Sequence, residues 1–231
     1  MSLAVPLSIV VPVLDEEAAI EASLRHLQPL RGRGVEILVA DGGSGDATVR
    51  LAAPLADRVV ASARGRALQM NAGAKLARGE TLLFLHADTR LPPDADRLVL
   101  DGLGRSGRAW GRFDLRIEGR SPLLPVVAAC MNSRSRLTGI ATGDQALFVR
   151  RAAFERAGGY PAIALMEDIA LSRTLKRLGP PLCLRAKAAT SGRRWDAQGP
   201  WRTVLRMWRL RLAYLLGADP RTLAQEYERI R

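Results

Sequence analysis

Five acidic positions carry the chemistry legible in this chain: Asp15, Asp41, Asp88 and the adjacent pair Glu167 and Asp168. The most telling stretch is 81–92, TLLFLHADTRLP, where an apolar run over 82–85 ends abruptly in His86-Ala87-Asp88. In a layered α/β protein, a buried strand that ends in a carboxylate aims it into the ligand crevice. A lone carboxylate there suits a divalent cation whose remaining ligands are phosphate and water. That arrangement holds a nucleotide diphosphate and helps it leave. Asp15 and Asp41 follow two further apolar runs, so the three strand ends should bring their carboxylates to one sheet edge. Any single one of them could equally be a helix cap, and Asp46 is read as a cap.

The elements that must position these groups follow from periodicity. Leu7–Val13 (LSIVVPV) is short, β-branched and apolar, and reads as a buried strand. Asp15-Glu16-Glu17 opens a helix, with acids at the positive end of its dipole. A second strand spans 35–40, and the tight loop Gly42-Gly43-Ser44-Gly45 leads to a short helix that Pro54 stops. Arg58–Ala61 is a third strand, 65–77 a helix, 81–85 a fourth strand, and Pro92-Pro93-Asp94 starts a helix running to about 103. Alternation over 110–117 suggests a strand exposed on one face; 122–137 reads as helix, 146–150 as strand and 167–178 as helix. Strands alternating with helices predict an α/β, Rossmann-like three-layer α/β/α fold with a mostly parallel central sheet and C-terminal helices. Residues 1–198 are expected to form the main domain, and 199–231 a helical extension packed on it.

Composition narrows the class. The 231 residues include two cysteines, Cys130 and Cys183, far apart in sequence, which excludes a disulfide framework or a cysteine zinc site and fits a reducing compartment. The apolar N-terminal stretch has no basic n-region and ends in acids, so it is read as a strand and not as a signal peptide. No apolar run reaches the roughly 18–20 residues of a membrane span. The net charge of +12 is unevenly placed: 169–216 holds 11 Arg or Lys against Asp196 alone, a local net of +10. A localised basic surface implies an anionic partner; a solvated arginine face is the plainer reading of part of it. The tail over 201–216 is amphipathic, with Trp201, Val204, Leu205, Trp208, Leu212, Leu215 and Leu216 on one stripe and Arg202, Arg206 and Arg209 on another. Such a stripe most often docks on its own domain; a basic aromatic helix also suits an anionic membrane surface.

The order of motifs is specific where each alone is weak. It runs Val11-Pro12-Val13-Leu14-Asp15-Glu16, Asp41-Gly42-Gly43-Ser44-Gly45-Asp46, Gly65-Arg66-Ala67 with Asn71-Ala72-Gly73, His86-Ala87-Asp88, Gly143-Asp144-Gln145, then Glu167-Asp168. From residue 8 to about 179 the chain resembles an inverting family-two glycosyltransferase of the GT-A fold, of a small bacterial group without membrane anchors. The resemblance implies transfer of a sugar from a nucleotide-diphosphate donor, with UDP-sugars favoured, to an acceptor hydroxyl. Pro12, Asp15, Glu16 and Asp41 would line the nucleoside pocket, and Arg66 would sit near the base or phosphates. Asp88 would coordinate Mn2+ or Mg2+ on the diphosphate. Asp168 would be the general base with Glu167 beside it, Asp144 would touch the donor sugar, and Arg194 and Trp195 would flank phosphate and acceptor. Many acceptors in the family are lipid-linked or membrane-embedded, which implies a cytoplasmic protein with peripheral contact at the inner membrane face.

One departure matters. His86 stands where the family carries the first Asp of an Asp-x-Asp motif, and a neutral imidazole there could meet a ribose hydroxyl, a metal or only the strand end. It keeps open a degenerate homologue that binds nucleotide without transfer. A sugar-nucleotide pyrophosphorylase is disfavoured because the loop after the first strand is acidic and lacks glycine. A nucleic-acid binder is disfavoured because aromatics make up 5% and acids crowd the strand ends.

Overall fold

The computed structural model of the chain describes residues 5–228. The outer ends of the two expected segments, 1–4 and 229–231, lie outside the described residues. An eight-stranded sheet in the order β3-β2-β1-β4-β7-β6-β8-β5 forms the middle layer. Its strands are β1 Leu7–Val13, β2 Glu36–Asp41, β3 Arg58–Ala61, β4 Thr81–Phe84, β5 Thr89–Arg90, β6 Trp110–Glu118, β7 Phe148–Arg150 and β8 Leu182–Ser191. The first four are mutually parallel, β7 and β5 run against their neighbours, and β6 pairs parallel with β8. Every residue of β1, β2 and β4 is buried. These strands are covered on both faces, which is why they read as unbroken apolar runs and not as alternation.

Helices α1 Glu17–Arg31 and α4 Ala95–Ser106 cover one face, with α2 Thr48–Ala52 beside α1. Helices α3 Arg66–Leu76, α6 Arg151–Arg156 and α7 Glu167–Lys176 cover the other. Close approach explains two glycines. A Cβ on Gly73 would lie 2.4 Å from Val10 Cγ1, and one on Gly79 would lie 2.5 Å from the Ser8 backbone nitrogen. Helix α5 Leu124–Thr138 lies over β6, burying Leu124 and Ala128 on Leu115 and Ile117. A short α8, Arg193–Gln198, leads into α9 Pro200–Leu215 and α10 Pro220–Glu228.

Two expectations need correction. β6 is not solvent-exposed on one face over its first half, because its polar residue Arg112 is fully buried under α5. There its guanidinium pairs with Asp114 and donates to Ser135 Oγ at 3.1 Å and to the Asn132 carbonyl at 3.2 Å. The apolar stripe of α9 does not dock on the domain either. Trp201, Leu205, Trp208, Leu212, Leu215 and Leu216 are 57–79% exposed. The opposite face packs instead: Thr203 and Leu210 are buried, and Leu210, Met207 and Tyr214 join Leu165, Met166 and Ile169 in a separate apolar cluster. That face carries fewer and smaller apolar groups than the stripe, so hydrophobicity alone pointed to the wrong side of the helix.

Candidate active site

At the carboxyl edge of the sheet lies a cavity of about 780 Å³. β1 ends at Val13 and turns sharply through Asp15, which holds a left-handed φ of +52°. Its carboxylate accepts the Gly45 N–H at 2.8 Å and its own N–H donates to Ser44 Oγ at 3.0 Å, locking this loop to the one after β2. Asp46 accepts from the Glu17 N–H at 3.1 Å and the Thr48 N–H at 2.9 Å, so it serves the starts of two helices. Pro12, Asp15 and Glu16 line the cavity. Asp41 does not: it is 8% exposed, and its carboxylate accepts the Gly43 and Ser44 N–H groups at 3.1 Å. It shapes the loop and does not reach the cavity wall.

Arg66 is the first residue of α3, presented by Gly65 at φ +137°, a backbone conformation that L side chains rarely adopt. Burial lowers the Arg66 pKa, but the charges of Glu167, Tyr227, Asp144 and Asp168 outweigh that and raise it. Beyond β4, the His86 ring packs onto Gly143, where a Cβ would lie 2.4 Å from the ring. His86 Nδ1 stands 3.3 Å from Asp144 Oδ1. Burial works against ionised Asp144, yet the His86 contact and the charges of His86, Arg66 and Arg194 hold its carboxyl below the usual value. Asp88 is exposed to the cavity, and its carboxylate accepts from Thr89 Oγ1 at 3.4 Å.

The turn Gly143–Gln145 is fixed by a capping box between Thr142 and Gln145. Its Gly143 N–H donates to Asp168 Oδ2 at 2.9 Å, while the Ile169 N–H donates to Oδ1 at 2.7 Å. Asp168 thus sits at the start of α7 with fixed orientation. Glu167 beside it is buried, and burial first, then the Asp168 charge, raises its carboxyl above the ordinary range. Met166, just before α7, and Ala146, just after the turn, join Asp15 as the non-glycine residues with positive φ among the described residues. Asp15 and Met166 line this site and Ala146 closes its turn, a place where backbone strain is characteristically kept.

β8 and β5, absent from the sequence reading, complete the edge. The Ser191 N–H donates to the Asp88 carbonyl at 3.2 Å, and Ser191 leads into Arg194 and Trp195. The Arg194 guanidinium bonds the Tyr227 hydroxyl and lies 4.8 Å over its ring. Trp195 lines the cavity and also packs against the apolar cluster beneath α5. Part of the lining is apolar: Val126, Val127 and Met131 from α5, and Val204, Met207 and Trp208 from α9. Tyr227, Arg134 and Arg211 also line the cavity and were missed. Nothing in their spacing marks them, since each sits in a helix among other polar residues.

Among the described residues no three His, Cys, Asp or Glu side chains cluster as a metal cage. The exposed Asp88 carboxylate fits a cation that takes its other ligands from a diphosphate and water.

A family model described as "Glycosyl transferase family 2" matches residues 8–155. Undecaprenyl-phosphate 4-deoxy-4-formamido-L-arabinose transferase of Pseudomonas aeruginosa is 31% identical over 133 residues, 48% of this chain and 39% of that protein. The chain therefore matches well under half the length of that relative. S. aureus TarS (residues 1–349) superposes with a TM-score of 0.67 at 17% identity, over 87% of this chain and 64% of that one. Glucosyl-3-phosphoglycerate synthase from Mycobacterium tuberculosis, solved with Mn2+, UDP and phosphoglyceric acid, superposes with a TM-score of 0.63 at 22% identity, over 93% and 79%. The mixed α/β sheet is that of the GT-A glycosyltransferases, and with the family model spanning 8–155 the chain belongs to glycosyl transferase family 2.

Proposed function

We propose that this glycosyltransferase moves a sugar from a nucleotide-diphosphate donor, UDP-sugars foremost, to an acceptor hydroxyl with inversion. The observation that carries the reading is one cavity walled by Asp15, Arg66, His86, Asp88, Asp144 and Asp168, drawn from separate segments of the chain. The nucleoside would lie against Pro12, Asp15 and Glu16, with Asp41 holding the loop behind them. Arg66 and Arg194 would face the diphosphate as fixed cations with planar donors. Asp144, held by His86, would accept from sugar hydroxyls. This geometry favours a His86 that orients Asp144 over one that binds metal.

Asp168 is the base in this reading. Its carboxylate takes the proton as the acceptor oxygen bonds the anomeric carbon, and the bond from that carbon to the diphosphate breaks. The Gly143 N–H, 2.9 Å from Oδ2, fixes the carboxylate's direction. A divalent cation on Asp88, Mn2+ or Mg2+, would offset charge on the departing diphosphate; the M. tuberculosis neighbour was solved with Mn2+.

The acceptor would enter between α5 and α9. The Pseudomonas relative's name includes undecaprenyl phosphate, and the apolar wall agrees with a lipid-linked acceptor. The solvent-facing stripe of α9, edged by Arg202 and Arg209, supports peripheral contact with an anionic membrane surface. No described helix is long and apolar enough to cross a membrane. The test is radiolabelled sugar transfer from UDP-glucose, UDP-GlcNAc and GDP-mannose to lipid extracts and to soluble acceptors. Product with wild type and none with Asp168→Asn is expected; equal product from both would overturn the base assignment.

A further inference from the structure

Arg134 in α5 and Arg211 in α9 line the same cavity, and neither partly buried guanidinium has all its nitrogens partnered. The Nε and Nη2 atoms of Arg134 and the Nε of Arg211 are buried without a hydrogen-bond partner. Among the described residues neither arginine makes an ion pair. Burial pushes Arg134 down to about 10 and the Arg211 charge adds to that, with Asp168 pulling the other way. Arg211 is likewise lowered by burial and opposed by Asp168 and Asp144. Two like charges drawn partly out of water, with three of their nitrogens buried and unmet, are costly to fold around. Arg112, buried in the same region, is fully supplied with partners by contrast.

We propose that Arg134 and Arg211 form an anion subsite that seats a phosphate monoester borne by the acceptor. This rests on the transferase reading and names its acceptor class. Guanidinium forks match planar or tetrahedral oxyanions. Asp168 interacts electrostatically with both arginines, so an anion seated there holds the neighbouring acceptor hydroxyl beside the base. The apolar wall of Val126, Val127 and Trp208 leaves room for a lipid bearing that anion. A small soluble phosphate ester offers the same headgroup chemistry.

The test is calorimetric binding of glycerol 1-phosphate and of micellar farnesyl phosphate, with glycerol and farnesol as neutral controls. UDP with Mn2+ is titrated in parallel. Wild type should bind at least one phosphate probe in clear preference to its neutral control. Arg134→Gln and Arg211→Gln should each weaken that binding by about tenfold to hundredfold while leaving UDP affinity unchanged. Binding of glycerol 1-phosphate supports a soluble acceptor, and binding of farnesyl phosphate alone a lipid one. Because each substitution removes a partly buried charge with unmet donors, the melting temperature should hold or rise, and Arg134→Lys should retain part of the affinity. Arginines that are merely solvated would give no preference for phosphate over the neutral controls, or equal affinity in wild type and variants, and either result overturns the proposal. Loss of UDP binding by wild type with phosphate binding intact would instead overturn the donor reading.

Discussion

At the scale of single residues, the two carboxylates assigned to the reaction are held differently, so neutralising each should have a different consequence. Asp88 lies exposed to the cavity, and Asp88→Asn should weaken metal-dependent UDP binding by about tenfold or more. Asp168 is pinned by two backbone N–H groups, and Asp168→Asn should spare UDP binding while cutting turnover roughly 10²- to 10⁴-fold. Equal loss of UDP binding in both variants would refute the separate roles. Gly143 is a second test. An alanine Cβ there would lie 2.4 Å from the His86 ring, so Gly143→Ala should displace the imidazole, break its contact with Asp144 and lower turnover. The His86 resonances in an NMR spectrum would report the movement; an unshifted ring would contradict it. Glu167 gives a stability signature. Its raised pKa means the folded state holds that proton more tightly than the unfolded chain. Stability should therefore fall as pH rises from the ordinary carboxylate value through the raised one. Glu167→Gln should flatten that part of the profile and raise stability at pH 7 in urea melts.

At the scale of elements, the first half of the chain was legible because its strands are buried on both faces and its loops carry strong local signals. β1 and β3 match the expected spans, and β2, β4 and α3 differ by a residue or so. Asn71-Ala72-Gly73 was readable as a motif, but its work is packing. Asn71 Nδ2 donates to the Tyr160 carbonyl at 2.8 Å, and Gly73 lets α3 approach β1. β8 was invisible because Arg185 and Lys187 interrupt it and its pairing partner β6 is remote in sequence. Arg134, Arg211 and Tyr227 escaped for the same reason: only the tertiary fold brings α5, α9 and α10 to one cavity. The amphipathic tail was recognised, but the side that packs was not. Its exposed stripe makes a direct prediction. Leu205→Glu with Leu212→Glu, both outside the cavity wall, should weaken binding to phosphatidylglycerol vesicles roughly tenfold and leave UDP affinity unchanged. Undiminished flotation with those vesicles would contradict membrane contact by α9.

At the scale of the whole molecule, opposite charges have been separated. Acids gather at the sheet edge and around the turn at 143–145, while 169–216 carries a net of +10. Arg193, Arg194 and Arg211 of this stretch line the cavity, which suits anionic donors and acceptors. A folded sheet with a cavity of this composition makes one claim above the others, that it holds a nucleoside diphosphate through Asp88 and a divalent cation. Calorimetric titration of UDP, GDP, CDP and dTDP, each with and without Mn2+, addresses it directly. The account predicts saturable binding of one nucleotide, UDP first among them, that weakens sharply when Mn2+ is withheld. No binding of any of the four by folded protein in the presence of Mn2+ would contradict it.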